Sequence, residues 1–306
     1  MPPASAELTA HDRTGHACGH AHGHHALSAE RLDRAMLIGV GLNAVFVGVE
    51  VACGILGNSL ALVADAGHNA SDVLGLILAW GASWLARRPP TARYTWGFRR
   101  TTIYAALINA VLLLVACGVI LWEAWHRFTA PAPVAGWLMI GVAAAGVVIN
   151  TLTALLFVRG HRDANVRGAF LHMAADAAVS AGVVAAGIAI LLTGLTWIDP
   201  LVSILIALVI IIGTWDLFRE SIDLALDAVP RGIDPAAVAA GLAALDGVAD
   251  VRDLRIWGAS TSEASLTAHL VVPDASRNQA VLTAARRLLH DRFHIDHTTI
   301  EIDATG

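Results

Sequence analysis

Residues 105–122 read AALINAVLLLVACGVILW, eighteen consecutive positions without a charged side chain. A run of this length and composition predicts a helix that crosses a membrane. The whole chain agrees, because its 306 residues are 56% hydrophobic and only 15% charged, with a mean hydropathy of +0.63. Six spans are predicted in total, at residues 35–56, 61–85, 103–126, 134–158, 169–194 and 197–217.

Arginine residues between the spans predict the orientation. The connection at residues 87–100, RRPPTARYTWGFRR, holds five arginines, and the connection between spans four and five holds three more. The connections on the opposite side offer only Arg127. Because basic residues accumulate on the cytoplasmic side, both termini are predicted to be cytoplasmic. The net charge of −5 excludes a strongly basic nucleic-acid-binding protein, so the expected surroundings are a lipid bilayer and no nucleic acid.

The composition changes after residue 230, where long apolar runs stop and charged residues return. The patterns there predict a helix, two strands, a helix and a final strand, an αββαβ order typical of a small α+β domain with helices on an open sheet. Three regions are therefore expected: a His-rich cytoplasmic tail at residues 1–33, a six-helix transmembrane domain at 34–220, and a cytoplasmic domain at 221–306.

Two matched pairs of polar residues lie inside apolar spans. Span two carries His68 and Asp72, and span five carries His172 and Asp176. Residues four apart share one helix face, so the pairs together supply two imidazole nitrogens and two carboxylate oxygens. This is a complete tetrahedral ligand set for Zn²⁺, or for Cd²⁺ or Co²⁺. The alternative is a hydrogen-bonded clamp between helices, but two pairs of identical spacing favour a metal site.

The predicted site depends on where span five begins. His172 lies close to the predicted start of that span, whereas His68 lies well inside span two. The pairs can meet only if the fifth helix begins earlier, near residue 163. Asp65 lies three residues before His68 on nearly the same face, where it could orient His68 from behind or line an outward path.

Two further groups of metal-ligating residues lie outside the spans. The tail contains His11, His16, Cys18, His20, His22, His24 and His25. This composition predicts a flexible segment that collects metal ions; the alternatives are a chance run of histidines or one added for protein expression. The cytoplasmic domain contains His269, His297 and Asp303 as weaker candidates, together with other acidic and histidine residues that an ordinary charged surface would also show.

The chain resembles the cation diffusion facilitator family, particularly its bacterial zinc exporters, from about residue 33 onward. The segments that carry the resemblance are NSLALVADAGHNASDVLGL at 58–76, YTWGFRR at 94–100, AALINA at 105–110, NVRGAFLHMAADAAVSAGVV at 165–184, WIDPLVSILIALVII at 197–211 and TAHLVV at 267–272. The resemblance implies a homodimer in the bacterial cytoplasmic membrane and a ferredoxin-like cytoplasmic domain. It also implies one zinc ion, as transported substrate, held by His68, Asp72, His172 and Asp176.

The chain departs from the family pattern in the cytoplasmic domain. Relatives read approximately HDLH before the Ile-Trp pair, and one of those histidines can bind metal, whereas this chain reads RDLR with Arg252 and Arg255. A guanidinium has no lone pair to offer a metal, so a full cytoplasmic metal cluster is not expected.

Three functions are compared on these features. The first is export of Zn²⁺ by proton antiport, since binding to neutral imidazoles and ionised carboxylates displaces protons. The second is an intramembrane metal-dependent hydrolase, which needs an open coordination position and a general base. No HExxH motif is present, and Asp65 is the one spare carboxylate found beside the four ligands. The third is a sensor, for which no signalling module follows span six. Export is the preferred hypothesis, without an organic cofactor.

Overall fold

A computed structural model describes residues 29–157 and 164–304. Its larger part is built from six helices that coincide with the six predicted spans. Their bounds are α1 Ala29–Leu56, α2 Leu60–Ala86, α3 Thr101–Thr129, α4 Gly136–Phe157, α5 Ala164–Thr193 and α6 Ile198–Ala225.

Among the described residues, four helical stretches are long and apolar enough to cross a membrane, namely Thr101–Thr129, Gly136–Leu155, Phe170–Thr193 and Ile198–Ala225. The first helix contributes a shorter apolar stretch, Asn43–Leu56. The second is not among the four and carries two aspartates, a histidine and an asparagine. The chain is thus a helical membrane protein, and one of its helices, α2, carries a cluster of polar residues.

Glycines allow α4 and α5 to approach closely. A Cβ placed on Gly187 of α5 would lie 2.7 Å from Cγ1 of Ile140 in α4, and one on Gly136 of α4 would lie 2.9 Å from Cγ of Leu191 in α5. Inside a membrane the hydrophobic effect does not drive helices together, so their association depends on close packing. Small residues at such crossings allow the helix backbones to approach closely. This contact fixes α5, which carries half of the predicted site.

An apolar core fills one end of the helical bundle. Its α2 members precede His68 and its α5 members follow Asp176, so along both helices the core lies to the same side of the predicted site. The buried members are Leu60, Ala61, Leu62, Ala64, Leu113, Cys117, Ile120, Ala124, Met139, Ala143, Val183, Ala186, Ile190, Ile206, Ala207 and Ile210. The close-packed core separates the site from that end of the bundle.

The remaining residues form a small α+β unit whose element order, αββαβ, confirms the prediction. The elements are α7 Pro235–Ala243, β1 Asp250–Gly258, β2 Ala264–Val271, α8 Asn278–Phe293 and β3 His297–Asp303, with a short 3₁₀ turn at Ala275–Arg277. The sheet has the order β1-β2-β3, in which β1 and β2 are antiparallel and β2 and β3 parallel. The parallel pair is connected through α8, as a parallel pair requires.

Local sequence signals mark the start of the first helix in this unit. The Asp234 carboxylate accepts a 2.9 Å hydrogen bond from the Ala236 N–H and so caps α7, with Pro235 at the first helical position. The helices cover one face of the sheet, and buried apolar side chains from both layers make one core, including Val238, Leu266, Leu270 and Leu289.

The arginine-rich connection between α2 and α3 contacts the α+β unit. Arg99 Nη1 lies 2.8 Å from Glu263 Oε2 in the turn between β1 and β2. Arg100 forms an ion pair with Asp227, just beyond α6. The Thr261 N–H donates a 3.2 Å hydrogen bond to Thr102 Oγ1. These arginines, interpreted from the sequence only as markers of orientation, also join the helices to the α+β unit.

Candidate metal centre

The four predicted ligands meet between α2 and α5. His68 Nε2 lies 3.0 Å from Asp176 Oδ1 and 4.0 Å from Asp72 Oδ2. His172 Nε2 lies 3.3 Å from the same Asp72 oxygen and 3.7 Å from Asp176 Oδ2. Nitrogen and carboxylate donors therefore alternate around a small ring, and each histidine contacts the aspartate of the other helix.

The meeting is possible because α5 begins at Ala164, eight residues before His172 and close to the position that the prediction required. The i, i+4 spacing then places His172 and Asp176 on one face. The same spacing holds for His68 and Asp72 in α2, which starts at Leu60.

The donor spacing is compatible with a tetrahedral ion. Zinc holds nitrogen and oxygen ligands at about 2.0–2.2 Å, so neighbouring donors of a tetrahedron are about 3.3–3.6 Å apart. The four distances of 3.0–4.0 Å bracket that range. His68, Asp72 and Asp176 form the tightest group, within 4.8 Å of one another. His172 lies outside this tightest group, with its ring centroid 6.0 Å from that of His68.

Exposure of the four side chains changes along the helices. Asp176 is 4% exposed and His68 17%, whereas Asp72 is 29% and His172 48% exposed. The two more exposed residues lie toward the C-terminal end of α2 and the N-terminal end of α5, away from the apolar core. The more exposed side of the ring is therefore the side nearer the arginine-rich connection, and the apolar core lies on the opposite side.

Asp65 has another partner than the one predicted. Its Oδ2 accepts a 2.8 Å hydrogen bond from the Ser180 hydroxyl of α5, and the residue is buried. The Nδ1 atom of His68 is buried and has no hydrogen-bond partner among the described residues, so no hydrogen bond from Asp65 orients that ring. Ser180 was missed by sequence reasoning, although it lies four residues after Asp176 on the same helix face.

A second buried carboxyl group lies on α1. Glu50 is fully buried, and its Oε2 accepts a 3.0 Å hydrogen bond from Nδ2 of Asn69, the residue after His68. Glu50 is not among the ligands that the sequence predicts. Glu50 lies beside α2, the helix that carries Asp65, and among the described residues no hydrogen bond or ion pair joins it to the four donors.

The other end of α2 is held by Asp199 of α6. Asp199 Oδ2 accepts a 2.7 Å hydrogen bond from the Leu60 N–H, and Oδ1 accepts bonds from the Ser59 hydroxyl at 2.7 Å and the Ala61 N–H at 3.2 Å. Arg127 Nη1 approaches the same carboxylate at 3.5 Å. This carboxylate satisfies N–H groups that the first turn of a helix leaves unpaired.

The cytoplasmic candidates are only partly brought together. His269 lies 3.7 Å from Glu301 Oε2 and 3.6 Å from Asp303 Oδ2 across the parallel β2–β3 pair. His297 pairs with Ser265 in that register and instead contacts Arg99 and the Trp96 ring, whose centroid is 5.8 Å away. Glu301 therefore occupies the place that the prediction gave to His297.

Arg252 faces His269 across β1 and β2 and pairs with Asp250 at 2.8 Å, while Arg255 pairs with Asp253 at 2.9 Å. Both guanidinium groups are thus paired with carboxylates. The tail histidines His20, His22, His24 and His25 lie outside the described residues.

This architecture is that of an integral membrane cation transporter: apolar helices, a polar ring between two of them, and an appended α+β unit. Comparison with known families identifies which family of transporters it is. The cation efflux transmembrane domain matches residues 36–224, and the cytoplasmic domain of cation efflux proteins matches residues 230–305. The chain belongs to the cation efflux family, the cation diffusion facilitators that its motifs indicated. Because this is a family of transporters, the hydrolase alternative has no support.

Individual relatives match over nearly their whole length. The zinc transporter ZitB of Escherichia coli is 35% identical over 289 residues, covering 93% of this chain and 92% of that protein. The metal cation efflux system protein CzcD of Cupriavidus metallidurans is 35% identical over 288 residues, with 93% and 90% covered. A cadmium, cobalt and zinc/H⁺-K⁺ antiporter of Bacillus subtilis is 33% identical over 260 residues, with 83% and 84% covered.

A solved structure also matches, the metal-bound C-terminal domain of the CzcD transporter. It is 36% identical and covers 23% of this chain and 99% of its own, with a TM-score of 0.22.

Proposed function

We propose that this protein exports Zn²⁺ from the cytoplasm in exchange for protons, through one site formed by His68, Asp72, His172 and Asp176. The observation that carries the proposal is the ring of alternating nitrogen and oxygen donors between α2 and α5, with spacings of 3.0–4.0 Å. The names of ZitB, CzcD and the Bacillus antiporter support a divalent metal as substrate, with Cd²⁺ and Co²⁺ as competitors.

Proton exchange follows from the chemistry of the donors. The 3.0 Å contact between His68 Nε2 and Asp176 Oδ1 is a hydrogen-bond distance, which suits a proton held between them when no metal is bound. Zinc needs a lone pair from each imidazole and ionised carboxylates, so loading the site displaces such protons. Histidine changes its charge near physiological pH, and the same groups can therefore carry protons back.

The direction of transport follows from the exposure of the site. In this conformation the site opens toward the arginine-rich connection, which the positive-inside bias assigns to the cytoplasm along with both termini. Zinc would enter from the cytoplasmic side. Its release on the opposite side would require the helices that form the apolar core to separate. A change between inward and outward openings makes the exchange vectorial.

The cytoplasmic domain is proposed to pair two subunits into a homodimer in the bacterial cytoplasmic membrane. In line with the region boundaries predicted from the sequence, it would begin near residue 221 and follow a transmembrane domain at 34–220. His269 with Asp303, and Glu301 beside them, would bind metal more weakly than the membrane site, because they are partly exposed. The tail histidines would raise the local concentration of metal.

The test is transport by the full-length protein in proteoliposomes, with a zinc-sensitive dye and a pH-sensitive dye read together in the lumen. We expect zinc uptake accompanied by alkalinisation of the lumen, and competition by Cd²⁺ and Co²⁺. His68→Ala and Asp176→Ala should abolish uptake, while Glu220→Gln, at a partly exposed position in α6, should leave it unchanged. Normal uptake in both site variants would overturn the site, and uptake without a pH change would overturn proton exchange.

A further inference from the structure

Two fully buried carboxyl groups outside the metal ring are close neighbours on adjacent helices. They are Glu50 of α1 and Asp65 of α2, with 0% and 1% of their surfaces exposed. Each has one oxygen satisfied by a neighbour, since Asn69 donates to Glu50 Oε2 and Ser180 donates to Asp65 Oδ2.

The second oxygen of each carboxyl group has no donor. Glu50 Oε1 and Asp65 Oδ1 are both buried and without a hydrogen-bond partner among the described residues. Two facing carboxylates without a counter-charge repel each other, and a buried acceptor left unpaired is costly. A proton between the two groups removes both problems at once, because it supplies the missing donor and cancels one of the two charges.

We propose that Glu50 and Asp65 share one proton, and that this carboxyl pair is a proton-binding site of the protein separate from its four metal ligands. This inference rests on the proposed zinc–proton exchange for its role in transport, but the shared proton itself does not depend on transport. Among the described residues, no hydrogen bond or ion pair joins either carboxyl group to the four donors, so the pair can remain protonated or lose its proton while the metal site keeps its ligands.

The pair lies close enough to the metal site to respond to its charge. Asp65 precedes His68 by three residues, and Ser180 follows Asp176 by four, so the pair lies about one helical turn from the ring on both helices. Among the described side chains, the titratable groups that act on Asp65 are Glu50 from α1, His68 from its own helix and Asp176 from α5.

Zinc loading should expel the shared proton. When Zn²⁺ replaces a single proton in the ring, two positive charges enter and one leaves. The ring thus becomes more positive by one unit, and in a poorly screening interior this change favours loss of a nearby proton. The O–H bond of the pair breaks, the carboxyl group keeps the electron pair, and water takes the proton.

The experiment combines infrared difference spectroscopy with calorimetry on the full-length protein in lipid. Without zinc at neutral pH, the wild-type protein should show the C=O stretch of a protonated carboxyl group, and zinc should diminish it. The double variant Glu50→Gln/Asp65→Asn should lack that band, while Glu220→Gln should retain it. Calorimetry in buffers of different ionisation enthalpy should count about one proton fewer released per zinc in Glu50→Gln or Asp65→Asn.

The measurement on wild-type protein keeps the test decisive even if a variant fails to fold. Absence of the protonated-carboxyl band from zinc-free wild-type protein, or its survival in the folded double variant, would overturn the shared proton. A zinc affinity that depends on Na⁺ or K⁺ without such a band would assign the pair to a monovalent cation and overturn it equally. Failure of zinc–proton exchange in liposomes with the band intact would instead overturn the proposed function alone.

Discussion

The carboxylate of Asp199, in the first turn of α6, accepts a 2.7 Å hydrogen bond from the backbone N–H of Leu60, the first residue of α2. The helix that carries His68 and Asp72 is therefore held at its N-terminus by a residue 139 positions later in the chain. Since Asp199 is fully buried and Arg127 approaches it at 3.5 Å, this carboxylate is both a helix cap and half of an ion pair.

Asp199→Ala should destabilise the protein by about 3 kcal/mol, because it removes the cap of α2 and leaves the largely buried Arg127 without its carboxylate. Thermal unfolding in detergent measures the effect as a lowered midpoint. Asp216→Asn serves as the control, since Asp216 lies on the same helix with 81% of its side chain exposed. Equal midpoints for the two variants would show that the cap contributes little.

Gly187→Ala should weaken the α4–α5 crossing by about 1–3 kcal/mol, the usual cost of adding a methyl group to a packed contact. The new Cβ would lie 2.7 Å from Ile140 Cγ1, so one of the two helices must move. Gly182→Ala is a matched control on the same helix, because a Cβ there meets nothing within 4 Å. We expect that variant to unfold at or slightly above the wild-type temperature. A midpoint for Gly187→Ala as high as that of Gly182→Ala would contradict the close contact.

The ion pair between Arg99 and Glu263 should show a coupling energy of no more than about 1 kcal/mol, because both side chains are more than a third exposed and solvent screens their attraction. The measurement is a double-mutant cycle of unfolding midpoints with Arg99→Ala, Glu263→Ala and the double variant. Since Arg99 also contacts His297, Arg99→Ala should cost more than Glu263→Ala. The opposite order would mean that the contact with His297 has no energetic weight.

The imidazole of His290 should remain protonated to higher pH than an ordinary histidine. Its Nδ1 lies 2.6 Å from Asp296 Oδ1, and this hydrogen bond and the negative charge raise the pKa of His290 above 6.5. A raised pKa adds stability that is fully present below the unfolded-state value and is lost as the pH rises through the folded-state value. Histidine-selective NMR titration of wild-type protein and Asp296→Asn checks this, and the variant should titrate at lower pH. Identical titration curves would rule out the contact.

The features of this structure that depend only on residues close together in the chain could be predicted from the sequence. The long apolar runs gave the helices, and the i, i+4 spacing placed His68 with Asp72 and His172 with Asp176 on helix faces. The capping of α7 by Asp234 and the αββαβ order likewise depend on neighbouring residues.

Contacts between distant segments could not be predicted in the same way. Alternation along β3 places His297, Glu301 and Asp303 on one face, but only the register with β2 decides that Glu301 lies opposite His269. Glu263 lies 164 residues from Arg99, and no periodic pattern connects them. The hydrogen bond between Ser180 and Asp65, 115 residues apart, could not be predicted for the same reason.

The apolar core beside the candidate metal centre has an electrical consequence. With the ring exposed on one side and an apolar layer on the other, the membrane voltage would fall mainly across that layer rather than evenly through the bundle. Each elementary charge that crosses it gains or loses about 2.3 kcal/mol per 100 mV. With one proton from the ring and one from the carboxyl pair, the exchange of Zn²⁺ for two protons would move no net charge through this layer. The pumping rate would then stay nearly constant as the resting potential of the cell varies, whereas exchange for a single proton would make the rate depend on that potential.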